Sequence, residues 1–69
     1  MAYRRLRRHA VIVNLKDGPS FKGILWRKAG ALIVLKDVDM LAEGAHEPIR
    51  VDGDVVIERS NVAYFQVTG

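Results

Sequence analysis

Residues 15–26 read LKDGPSFKGILW: lysine and aspartate ahead of a glycine and a proline, then a second glycine five positions on, inside what is otherwise a strand pattern. Just upstream, Val11, Val13 and Leu15 point one way while Asn14 and Lys16 point the other, the period-two signature of a half-buried strand. Asp17-Gly18 is a hairpin signal, because glycine enters the left-handed region without steric penalty and aspartate tolerates turns by bonding to nearby backbone. Pro19 falls where a missing N–H costs least, at the start of the next strand. There Phe21, Gly23 and Leu25 form the inward row, with Ile24 and Trp26 outward. A glycine in an inward row leaves a core position empty, and its expected role is to let a short sheet bend sharply over itself.

Working outward, Arg27–Ala31 reads as a basic turn built on Gly30, and LIVLKDVDML (32–41) as a third strand whose first four residues are apolar on both faces. Residues 42–50 mix glycine, proline and charge without a period and read as a loop, and Asp52-Gly53 offers a further turn. DVVIERS (54–60) and VAYFQV (62–67) then read as two short strands meeting at Ser60-Asn61. The pattern predicts an all-β fold: a strongly bent, SH3-like, five-stranded antiparallel barrel formed by residues 10–69. Residues 1–9 are expected to form a short N-terminal helix or basic arm, with Tyr3 and Leu6 on one side.

A 69-residue chain makes one domain, and a body this small buries a modest fraction of its area. With no cysteine there is no disulfide or thiolate zinc site, and His9 and His46 are too few and too far apart to suggest a metal staple. Yet 49% of the residues are hydrophobic. Self-association is the remaining way to stabilise such a chain. No apolar run approaches membrane-spanning length and residues 1–10 lack a signal-peptide core, so the chain reads as cytoplasmic, with no membrane partner. The net charge of +3 is local: Arg4, Arg5, Arg7 and Arg8 contribute four of the 11 basic residues, and the other seven nearly balance the 8 acidic ones.

Several strands carry apolar side chains on the face expected to be wet. These are Ile24 and Trp26, then Leu32 and Val34, and either Tyr64 or Phe65 according to register. Neighbouring residues of this kind form a patch of the size that usually marks an interface.

With these residues in place, VIVNLKDGPSFKGILW followed by LIVLKDV resembles the first signature of the Sm-like family. The matching positions are Val13, Leu15, Asp17, Gly18, Phe21, Gly23, Leu25, Ile33, Leu35 and Asp37. VVIERSNVAYFQV is similar to the second signature through Ile57, Asn61, Val62 and Tyr64. The resemblance implies a short N-terminal helix on a bent five-stranded barrel, and assembly of the fourth and fifth strands of neighbouring subunits into a cyclic homo-oligomer of roughly five to seven copies. Subunit contacts are then expected from Ile24, Trp26, Val56, Ile57, Tyr64 and Phe65. It also implies single-stranded RNA binding near the pore, by the turn after the second strand and the turn before the last.

The chain departs from the family pattern at those turns. Leu32 stands at the position of a base-reading asparagine, Ala31 at that of a stacking side chain, and Glu58-Arg59 replaces arginine-glycine. Alanine cannot stack, leucine cannot read a base edge, and glutamate repels phosphate. Nucleic acid is instead expected at Arg27, Lys28 and Arg59 near the turns and at Arg4, Arg5, Arg7 and Arg8, multiplied by the ring into a salt-sensitive basic surface. The alternative is an architectural or assembly protein that contacts other proteins and has no nucleic-acid role. No enzymatic activity, cofactor or metal is expected: Asp37, Asp39, Asp52, Asp54 and Glu58 read as solvated turn and surface acids, without a histidine or cysteine spacing to organise a nucleophile or a tight metal site. The runner-up fold is a monomeric SH3-like adaptor holding a proline-rich peptide in a groove drawn from Tyr3, Phe21, Trp26, Tyr64 and Phe65.

Overall fold

The computed structural model describes residues 8–42, 44 and 46–68. The expected helix or arm, apart from Arg8 and His9, lies outside the described residues. The elements are β1 (Ala10–Leu15), β2 (Ser20–Ala29), β3 (Leu32–Leu41), β4 (Ile49–Arg50), β5 (Val55–Glu58), a single 3-10 turn (Arg59–Asn61) and β6 (Val62–Val67). All pairings are antiparallel, in the order β4-β3-β2-β1-β6, with β5 also paired to β3.

Two expectations are corrected by this topology. Residues 42–50 are not all loop, because Ile49 and Arg50 pair with Met40 and Asp39 of β3. β5 pairs farther along the same strand, with Leu32–Leu35, and the Val51 N–H donates to the Val38 carbonyl at 2.9 Å between them. β4 and β5 are therefore two pieces of one barrel strand, and Asp52-Gly53, with Gly53 at φ 85°, interrupts that strand rather than joining two others. The second correction concerns the basic turn: Arg27, Lys28 and Ala29 continue β2, paired with Val34, Ile33 and Leu32, so the turn is only Gly30-Ala31.

The bend forms where the glycine reading placed it. Between Lys22–Asp39 and Ile24–Lys36, β3 takes three steps where β2 takes two, an extra residue that puts Asp37 at φ 53°. Immediately afterwards β2 carries the extra residue at Trp26, between Leu25–Leu35 and Arg27–Val34. Paired bulges of this kind raise the local twist and curl a sheet. A Cβ on Gly23 would lie 2.9 Å from the Lys36 carbonyl oxygen and 3.0 Å from Val38 Cγ2, so β3 crosses over the site at the one residue without a side chain.

Inside the curl, Val11, Val13, Leu25, Ile33, Leu35, Val38 and Ile57 form the buried core. Around it pack Leu15, Phe21, Val51, Val55, Val62 and Phe65, each half-buried. No polar side chain is buried among the described residues. Among the described residues β5 pairs only with β3 and β6 only with β1, so the sheet ends in two edges.

Candidate nucleic-acid interface

The two turns expected to meet nucleic acid are joined. The Arg59 N–H donates to the Ala31 carbonyl at 2.8 Å, fixing the start of the 3-10 turn to the tip of the β2–β3 hairpin. The other end of the 3-10 turn is anchored as well: the Lys16 N–H donates to the Asn61 carbonyl at 2.7 Å, and Asn61 Nδ2 to the Asp17 carbonyl at 3.3 Å. The register then assigns faces. Lys28 lies in the row of Ile33 and Ile57, whose side chains enter the core, at the exposed end of that row. Arg27 lies in the next row, with Val34 and Val56, on the outer face. Arg27 and Lys28, adjacent in sequence, thus serve opposite faces, and Lys28 runs toward the same end of the sheet as Arg59. Leu32 and Glu58 are cross-strand partners on the outer face, both exposed.

Arg8 stands apart from the turns. Its N–H donates to the Leu25 carbonyl at 2.6 Å, its backbone turns at φ 64°, and its guanidinium carbon lies 4.2 Å from the centre of the Trp26 ring. Lys36 Nζ lies 4.9 Å from the same centre and pairs with Asp54 at 3.8 Å. Trp26 is therefore half-buried beneath two cations. Arg4, Arg5 and Arg7 lie outside the described residues.

The residues expected at subunit contacts divide into three groups. Val56 and Tyr64 are 56% and 59% exposed on the outer faces of the two edge strands. Ile57 belongs to the core, and Phe65, paired with Val13, faces inward against it. Tyr64, not Phe65, is the outward residue of the last strand. Ile24 and Trp26 lie half-buried on the outer face of β2, away from both edges. Of the aromatics expected in a peptide groove, Trp26 and Tyr64 lie on the outer face and Phe21 and Phe65 against the core, and Tyr3 lies outside the described residues.

Sequence reasoning missed a cavity of about 540 Å³ at the open seam of the barrel, lined by Leu15, Asp17, Phe21, Val55, Ile57 and Asn61. Its residues come from distant stretches, brought together by the strand pairings and by the bonds from Lys16 and Asn61. The acids are also placed. Arg50 reaches Asp37 at 3.2 Å and Asp39 at 3.7 Å, so those carboxylates face a guanidinium. Among the described residues no group of three or more histidine or acidic side chains is arranged to hold a metal, and no helix is long and apolar enough to cross a membrane.

No protein-family model matches the chain, and no curated protein matches it either. Solved structures do. The Sm protein of Pyrococcus abyssii, determined in complex with a uridine heptamer, is 32% identical, with a TM-score of 0.78 over 94% of this chain and 90% of that one. A heptameric archaeal Sm protein aligns with a TM-score of 0.78 at 21% identity, over 96% of this chain and 94% of that one. The SmAP1 heptamer of P. aerophilum aligns with a TM-score of 0.79 at 21% identity, over 96% and 86% of the two chains. The identity to the P. abyssii protein, over nearly the full length of both chains, identifies the family, and the other two structures bear on the fold.

Proposed function

Because the chain belongs to the Sm family, we propose that it closes into a ring through its two sheet edges and binds single-stranded RNA at the joined turns and the N-terminal arginines. The observation that supports this reading best is the pair of edges. β5 and β6 each end the sheet, each presents a highly exposed apolar side chain, and the barrel seam beside β5 holds an open, partly apolar cavity. An unprotected edge of this kind templates pairing with another chain, and the edge it best fits is the complementary one on a second copy. The P. abyssii relative, bound to a uridine heptamer, supports RNA as the ligand.

In this reading, Lys28 and Arg59 meet phosphate at the turns, with Arg27 on the outer side of the same sheet end. Arg8, beside Trp26, and with it in sequence Arg4, Arg5 and Arg7, supply a separate set of positive charges. The binding is mainly electrostatic, so it weakens steeply with added salt. The experiment has two arms. Light scattering should give one fixed mass that is a whole multiple of 7.7 kDa. Filter binding with a uridine heptamer and with longer mixed RNA should show retention at low salt that is lost as salt rises. A monomer at micromolar concentration removes the ring, and flat binding at low salt removes the RNA. The outer patch of Leu32, Val34 and Val56 favours a second, architectural reading, which a fixed ring with flat RNA binding would select.

A further inference from the structure

We infer that the joined turns select guanine over uracil, with the Glu58 carboxylate as the group that reads the base. This rests on the proposal that the turns bind single-stranded RNA and specifies which RNA they take.

Glu58 ends β5 directly across from Leu32, and it is followed by Arg59, whose backbone is pinned to Ala31 at 2.8 Å. Cross-strand partners hold their Cβ atoms about 5 Å apart, so the carboxylate and the exposed Leu32 side chain lie side by side on one rigid surface. Although Arg59 follows it directly in the chain, the Glu58 carboxylate makes no ion pair or side-chain hydrogen bond among the described residues. Three other acids are paired, Asp37 and Asp39 with Arg50 and Asp54 with Lys36.

An ionised carboxylate only accepts hydrogen bonds. The Watson–Crick edge of guanine offers two adjacent donors, N1–H and the N2 amino group, spaced to meet the two carboxylate oxygens. Uracil offers a single N3–H flanked by two carbonyl oxygens, which a carboxylate repels. Cytosine and adenine each present one amino donor beside an acceptor and fall between. Leu32 adds an apolar surface for a base but no polar group that would favour uracil. A bidentate base contact discriminates by roughly five- to a hundredfold against the wrong base.

The test compares a uridine heptamer with an alternating uridine–guanosine heptamer, which lacks the guanine runs needed for quadruplexes, on the full chain at fixed low salt. The alternating strand should bind at least fivefold tighter, and inosine in place of guanosine, which lacks the N2 amino group, should lose most of that preference. Glu58→Gln, nearly isosteric and exposed, should erase the preference while light scattering shows an unchanged mass. Three results overturn the inference. The uridine strand could bind as well or better. Inosine could match guanosine. Glu58→Gln could tighten both strands equally, making Glu58 merely a like charge near phosphate. In each of these the RNA reading survives, whereas failure of both strands to bind at low salt removes that reading and this inference together.

Discussion

Alanine at Gly23 would destabilise the fold by about 1–2 kcal/mol, through sterics rather than backbone conformation. The backbone there is outside the left-handed region, so alanine fits the local φ and gains about 0.4–1 kcal/mol by restricting the unfolded chain. Against this stand the 2.9 Å approach to the Lys36 carbonyl and the 3.0 Å approach to Val38 Cγ2. The first contact is with backbone held by the β2–β3 ladder, so relief requires moving β3 at its bulge. Overpacking of this kind costs about 1–3 kcal/mol. Domains of this size have about 3–10 kcal/mol in total. At about 4–8 °C per kcal/mol, the thermal midpoint should fall by about 5–15 °C, read by Trp26 fluorescence at a fixed chain concentration.

Gly30 provides the control, because its requirement is the opposite one. It sits at φ 60° with nothing within 4 Å of an added Cβ. Alanine there costs about 1–2 kcal/mol for the left-handed backbone, and asparagine, which tolerates that region, costs much less. The order should therefore cross over: asparagine is better than alanine at Gly30 and worse at Gly23. If Gly23→Ala is neutral, or Gly23→Asn is no worse than Gly30→Asn, β3 is not closely applied to Gly23 and the account of the bend fails.

Further outcomes follow from other residues. Val56→Lys places a charge on one free edge and should release chains of 7.7 kDa by light scattering. Adding Tyr64→Glu should restore the assembly if the two outer faces meet across the subunit boundary, and charge swapping without rescue counts against that contact. Asp37→Asn should be nearly neutral in urea denaturation, because asparagine also accepts φ 53° and the exposed pair with Arg50 contributes at most about 1 kcal/mol. Asp37→Val should cost more than about 1 kcal/mol, and equal effects would mean the bulge has no left-handed residue. Lys28→Ala and Arg59→Ala should each lower the slope of log affinity against log salt by about 0.7 if each meets one phosphate of a single strand. An unchanged slope removes that residue from the interface.

The bend is legible in the sequence because its cause is local: a glycine in an inward row leaves a gap that a closely crossing strand must fill, and the strand at 32–41 declares itself by its apolar run. The full extent of β2 is not legible, because Arg27 and Lys28 look like turn residues, whereas a strand end exposed to water accepts them readily when Val34 and Ile33 supply the pairing. Ile49 and Arg50 are hidden for a related reason, since two residues hydrogen-bonded to a long neighbour leave no period to detect. The bulge at Asp37 shifts the inward row of β3 by one, from Ile33 and Leu35 to Val38, the bulge at Trp26 shifts that of β2 from Leu25 to Lys28, and no residue type there advertises either shift. At the candidate site, charge can be read from sequence but facing cannot. That Arg27 and Lys28 serve opposite faces, and that Arg8 is committed to Trp26, depend on register and on a backbone turn.

Folding and assembly should not be separable in this molecule. Among the described residues seven core side chains are buried, while Leu15, Phe21, Val51, Val55, Val62 and Phe65 remain half-buried. Leu15, Phe21 and Val55 line the seam cavity beside β5. A second copy docked on that edge would deepen their burial while pairing backbone groups already held in a strand, so it adds apolar burial at little further cost in chain entropy. Binding that favours only the folded state raises its apparent stability with concentration. The thermal midpoint should therefore climb as the chain concentration is raised, and climb less for Val56→Lys. A midpoint independent of concentration across the range where light scattering finds dissociation would mean the single barrel is sufficient by itself, and that the open seam contributes nothing to why the chain associates.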